Sequence, residues 1–272
     1  MRNLSIRLVS AAVLIALVVI TILVRGWFAW SVVSIFGLAA AWELSRMFAK
    51  AGQPVNPVIL YPVTLVLVLR AVLPGELPIV EWCCIFSVIV GLGMMVFERS
   101  TPFGWLSALG ISAYVGLGLG YVLLLLDRAP RSDPHLGMLL VIVMLAGIVA
   151  CDTGAYAVGI PFGRHRLIPD ISPKKSIEGA IGGLLAACIV GTVCGMWLLS
   201  LSVLASAVLG LMIGILAQIG DLAESALKRQ ADMKDSSGLI PGHGGVMDRF
   251  DSILFVVPVV YWYLHAVLRI RP

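Results

Sequence analysis

Runs of about twenty consecutive apolar residues recur along almost the whole chain, beginning with LVSAAVLIALVVITILV at 8–24. A helix of that length crosses a hydrocarbon core about 30 Å thick, and a water-soluble domain has no place to bury so many such helices. Breaks at Pro, Gly or charge delimit nine expected spans, roughly 8–24, 27–48, 57–73, 79–97, 103–126, 136–160, 177–200, 203–227 and 252–268. Glu43, Arg46 and Arg70 intrude near the ends of the second and third. Hydrophobic residues make up 60% of the 272 and charged residues 12%, with a mean hydropathy of +1.03. The expected fold is therefore all-α, a polytopic integral membrane helix bundle, because in lipid only helices and closed barrels satisfy their own backbone.

The first run follows Arg2 and Arg7 and looks superficially like a secretory signal. It lacks a small-residue cleavage site before Arg25-Gly26-Trp27, so it reads as a helix of the mature protein. Cys83, Cys84, Cys151, Cys188 and Cys194 all lie in apolar runs without CxxC pairs, and read as small buried hydrophobes. With nine spans and the N-terminus in the cytoplasm, thirteen of the nineteen Lys and Arg fall on the cytoplasmic side. That orientation puts both long polar loops, 161–176 and 228–251, on the cytosolic face. The net charge of +4 follows from this topology, and no interleaved basic and aromatic patch argues for nucleic acid. Residues 1–130 read as scaffold helices, and residues 131–272 carry nearly all the candidates for chemistry.

Asp152 lies in LAGIVACDTGAYAVG near the cytoplasmic end of the sixth span. An intramembrane aspartate marks a metal or proton site, or else sits close enough to the interface to be solvated. Asp221 and Glu224 occur where the eighth span ends, sharing a helical face with Ser225 and Lys228. Glu224 and Lys228 also suit an ordinary i,i+4 pair. Asp248 and Asp251 stand three apart at the entrance to the ninth span, where the helix dipole alone would favour one of them. Acidic oxygens from several helix ends, without a Cys or His cluster, point to a hard cation, with Mg²⁺ the natural choice.

Complementary charge comes from SPKKS at 172–176, where Lys174 and Lys175 precede a helix that Ser176 is placed to cap. These lysines are either phosphate ligands or a positive-inside anchor. In GHGG, Gly242, Gly244 and Gly245 permit close backbone approach to phosphate, and His243 is a phosphate contact, an acid/base or a turn residue. The GxxxxGK[ST] pattern is absent. A divalent cation and several phosphates at the edge of a helix bundle suit transfer between a nucleotide and a lipid. No activated nucleophile stands out, which favours direct transfer.

The run SALKRQADMKDSSGLIPGHGGVMDRFD, Ser225 to Asp251, resembles the signature of the phosphatidate cytidylyltransferase (CDP-diacylglycerol synthase) family. It matches through Ser225, Lys228, Arg229, Lys234, Asp235, His243, Gly244, Gly245, Asp248, Arg249 and Asp251. The upstream Asp152, SPKKS and Gly220-Asp221 are similar too, whereas the N-terminal 130 residues match only in being helical. The resemblance implies a nucleotidyltransferase of phospholipid biosynthesis in a bacterial inner membrane, making CDP-diacylglycerol and pyrophosphate from CTP and phosphatidate. It also implies a nine-helix homodimer among membrane lipids, dependent on Mg²⁺ and associated with a second, monovalent cation such as K⁺. The expected metal residues are Asp221 and Asp248, supported by Asp251 and Asp152. Lys174 and Lys175 join the catalytic group, and Ser172, Ser225, Lys228, Arg229, Lys234, His243, Gly244, Gly245 and Arg249 complete substrate binding. A polyprenol kinase, an ether-lipid cytidylyltransferase and a transporter are the alternatives.

Overall fold

A computed structural model describes residues 2–73, 78–98, 102–127 and 135–267. Arg99, Arg128, Arg131, Arg269 and Arg271, which enter the topology count, lie outside the described residues, as does the 130/131 boundary. Among the described residues the apolar runs form nine helices. These are α1 (Arg2–Val24), α2 (Gly26–Lys50), α3 (Pro57–Leu69), α4 (Ile79–Glu98), α5 (Pro102–Asp127), α6 (Leu136–Phe162), α7 (Ile177–Leu199), α8 (Val203–Gln230) and α9 (Met247–Trp262). Seven are long and apolar enough to cross a membrane.

The third expected span is shorter than anticipated. Helix α3 has 13 residues, or about 20 Å of rise, less than a hydrocarbon core of about 30 Å. Asn56 caps its start, accepting from the Val58 amide at 2.9 Å, and Arg70 follows its last turn. The ninth run begins earlier than expected, at Met247, and ends in a π-helical turn over Tyr263–Val267. Cys84 is exposed, in contrast to the expected burial of all five cysteines, while Cys83 and Cys151 are buried.

The chain divides into two compact units. The first comprises Met1–Asp127 and Leu227–Phe250. At its centre α3 buries Ile59, Leu60, Val63, Thr64, Leu67 and Val68 against α2, α4 and α5. Two polar side chains there are joined: Thr64 Oγ donates to Ser112 Oγ at 3.1 Å, and Ser112 donates to the Leu60 carbonyl at 3.0 Å. Arg25, with φ 53°, breaks the chain between α1 and α2.

The second unit comprises Arg128–Ala226 and Asp251–Pro272. Helices α6, α7 and α8 pack through small residues, as apolar helices do where solvent drives no hydrophobic association between them. Gly191 of α7 lies directly on the Cα of Gly210 in α8, so a methyl at either position would enter backbone. Gly191→Ala is expected to lower the detergent melting temperature by several degrees, and Gly93→Ala, at a position with open space, to leave it unchanged. Equal melting temperatures would show that the α7–α8 contact yields without cost. At the end of this unit, Ser252 of α9 donates to the Ala217 carbonyl of α8 at 3.1 Å.

Candidate functional site

The polar loop 161–176 folds as a hairpin, which the sequence did not suggest. Strand β1 (Arg166–Ile168) pairs antiparallel with β2 (Ser172–Ser176), so SPKKS is extended chain instead of loop. The hairpin is tied to α7 at its base. Ser176 caps that helix as expected, accepting from the Gly179 amide at 3.1 Å. The Glu178 carboxylate accepts from the Arg164 amide at 3.0 Å and contacts His165 Nδ1 at 2.7 Å. Along β2 Lys174 is exposed and Lys175 half-buried.

Lys175 forms an ion pair with Asp221 of α8. Both line a cavity of about 530 Å³ in the second unit, together with Asp152, Tyr156, Lys174 and Gln218. Four of the expected site residues, Asp152, Lys174, Lys175 and Asp221, thus share one cavity. Gln218 was not anticipated; it donates to the Ala180 carbonyl at 3.0 Å, and its place one turn before Asp221 was the available clue. Ser172 pairs with Ile168 in the hairpin and is not among the cavity's lining residues. Ser225 is half-buried on α8. Asp251 accepts from the Ser252 amide at 2.6 Å.

The signature segment of the first unit is closed by its own hydrogen bonds. The Ile240 amide donates to the Gly244 carbonyl at 2.8 Å, and the His243 amide to the Ile240 carbonyl at 3.0 Å. Asp248 is its hub, with Oδ1 accepting from Lys228 Nζ at 2.7 Å. Its Oδ2 accepts from the Ser236 amide at 3.0 Å, Ser236 Oγ at 2.9 Å and the Gly245 amide at 2.8 Å. The Gly245 N–H expected to face phosphate therefore already has a carboxylate partner. Gly244 adopts φ +86°, and a Cβ there would lie 2.6 Å from Asp248 Oδ2, two independent reasons for glycine. His243 Nδ1 lies 2.8 Å from Ser10 Oγ of α1, and Arg249 donates to the His243 carbonyl at 2.7 Å. Arg229 donates to the Met233 carbonyl at 3.5 Å, and Lys234 is exposed.

Glu43 is the residue that sequence reasoning passed over. It is wholly buried in α2 and accepts from Val246 N at 2.9 Å, Met247 N at 2.6 Å, Ser236 Oγ at 3.0 Å and Ser237 Oγ. Its charge in an apolar run was the one signal available.

Among the described residues no group of three or more His, Cys, Asp or Glu side chains converges to hold a metal. The donor set still fits Mg²⁺, which takes one or two carboxylates and fills its shell with water and substrate phosphate. In each unit a lysine ammonium already stands against the carboxylate in question, Lys175 on Asp221 and Lys228 on Asp248. Each of these carboxylates is thus balanced by a lysine in this structure.

Residues 5–267 match the cytidylyltransferase family. A phosphatidate cytidylyltransferase of Synechocystis is 46% identical over 143 residues, 52% of this chain and 48% of that protein, so the chain spans about half the length of that relative. One from Bacillus subtilis is 35% identical over 183 residues, 66% of each chain. One from Mycobacterium bovis is 34% identical over 253 residues, 88% of this chain and 81% of its own. With the match running through both units and nearly end to end, the chain belongs to the cytidylyltransferase family.

Proposed function

We propose that this membrane protein transfers the cytidylyl group of CTP to phosphatidate, giving CDP-diacylglycerol and pyrophosphate. The observation that carries the reading is the cavity of the second unit, where Lys174, Lys175, Asp152 and Asp221 meet at the ends of apolar helices. Such a place suits a substrate whose phosphate is wet and whose chains stay in lipid. The names of the relatives in Synechocystis, Bacillus subtilis and Mycobacterium bovis support it.

In the proposed reaction a phosphate oxygen of phosphatidate attacks the α-phosphorus of CTP. The new P–O bond forms as the bond to the β-phosphate breaks, and pyrophosphate leaves. A phosphate dianion is already a competent nucleophile, so the protein's task is alignment and charge neutralisation. Lys174 and Lys175 neutralise phosphate oxygens in the cavity, and Asp221 holds Lys175 in place until the nucleotide enters. Mg²⁺, when bound, withdraws charge from the phosphate oxygens. Asp221 and Asp152 are its proposed holders in the cavity. Asp248 and Asp251 come into the proposal from the sequence, as paired carboxylates at a helix entrance that also match the family signature, and a second monovalent cation such as K⁺ from the resemblance alone. Lys228, Arg229, Lys234, His243 and Arg249 are proposed to meet the remaining phosphates, with Ser172, Ser225, Gly244 and Gly245 completing substrate binding.

The proposed setting is a bacterial inner membrane, with the N-terminus and the site on the cytoplasmic side and the chain as a homodimer. The test is thin-layer analysis of products from purified protein with labelled CTP, Mg²⁺ and phosphatidate. A labelled CDP-lipid is the expected product. A phosphorylated alcohol formed from a polyprenol, or no lipid product, overturns the reading.

A further inference from the structure

A buried carboxylate is costly unless hydrogen bonds replace its water, and Glu43 has them. Its four donors, Ser236, Ser237, Val246 and Met247, come from one short segment, residues 236–247. Two are main-chain amides at the entrance to α9, the end of a helix that favours negative charge. Ser236 links Glu43 to the centre of the signature segment. Its hydroxyl lies within hydrogen-bond reach of both Glu43 and Asp248, and its amide donates to Asp248. Helix α2 touches the same stretch of chain at two further points. Lys50 Nζ donates to the Asp232 carbonyl at 2.9 Å, and the rings of Phe36 and Phe250 lie 5.1 Å apart. Lys50 and Phe36 stand seven positions either side of Glu43, so one face of α2 runs beneath the segment from near its beginning to its end.

We propose that Glu43 is a positioning residue for cytidylyl transfer. It fixes Ser236 and the start of α9, and so sets where Asp248 and Lys228 stand, without itself touching substrate. The activity readout rests on the function proposed above, whereas the structural readout stands on geometry alone.

The test uses the full chain in detergent with Glu43→Gln, Glu43→Asp and Ser237→Ala. Glutamine keeps the size but turns an NH₂ toward donors, whereas aspartate keeps the charge one methylene short. Glu43→Gln is expected to lower kcat about ten- to thirty-fold with KM for phosphatidate within about two-fold, and Glu43→Asp to recover part of the loss. Amide hydrogen exchange over 236–248 is expected to quicken about ten-fold, while α6 and α7 exchange as in the parent. Ser237→Ala is expected to give smaller changes of the same kind, and it carries the test if the Glu43 variants do not fold. Unchanged kcat, or exchange that quickens equally in every helix, overturns the proposal. If the parent protein forms no CDP-lipid, the function fails but the clamp is still judged: local acceleration upholds it and unchanged exchange rejects it.

Discussion

Asp221→Asn is expected to cut the proposed turnover of CTP and phosphatidate about 10²–10³-fold, the range for loss of one preorganised oxyanion donor from an acyl-transfer site. The melting temperature is expected to move little. The side chains of Asp221 and Lys175 are 35% and 29% exposed, and an ion pair that open to water contributes little to stability. The loss should be steepest at limiting Mg²⁺ and partly relieved at saturating Mg²⁺, because asparagine keeps one oxygen but not the charge. Steady-state kinetics across a Mg²⁺ titration, beside thermal denaturation, checks both halves. Near-normal turnover at limiting Mg²⁺ in a folded variant would remove Asp221 from the metal assignment. Lys175→Met separates the two roles of this pair. It should weaken nucleotide binding while leaving the proposed dependence on Mg²⁺ in place.

The second large effect is steric. At Gly245 an added Cβ would overlap Ser236 Oγ and the Glu43 carboxylate, both immobilised by their own hydrogen bonds. Gly245→Ala must therefore displace two buried polar groups, at a cost of about 2–4 kcal/mol in the range of overpacking and broken buried networks. Gly238 lies in the same segment, and a methyl added there would meet nothing within 4 Å, so Gly238→Ala is the matched control and should be neutral. Differential scanning fluorimetry in detergent distinguishes them. Equal melting temperatures would mean that the segment yields easily and that the packing around Glu43 has little consequence.

Much of this was legible in the sequence because a bilayer imposes its thickness on the chain. Apolar runs of about twenty residues gave six spans within three residues of the helices found, while the first and ninth helices begin five or six residues before their expected spans. Helix α3 was overestimated because apolar composition continues past Leu69, and hydropathy does not register that the helix is packed inside protein on several sides. The hairpin escaped because strands of three and five residues, one containing Pro173, leave no usable period. At the site, Asp152, Lys174, Lys175 and Asp221 were recognisable as charges out of place, and the cavity gathers them. The GHGG glycines were read as phosphate donors because sequence shows permissive backbone but not its competing partners. In the structure Asp248 claims the Gly245 amide. Glu43 was hidden by distance: its partners lie 193 to 204 positions along the chain, beyond any local pattern.

That separation has a consequence for how the protein is made. Glu43 enters the growing chain 203 residues before Val246, so at about 5–20 residues per second its partners follow some tens of seconds later. Until then α2 carries a charge with its native donors still untranslated, and the signature segment can take its shape only after α9 has begun to emerge. Closing so long a loop makes this contact intrinsically late. The order of synthesis therefore keeps the segment from organising before every other helix has been delivered to the membrane.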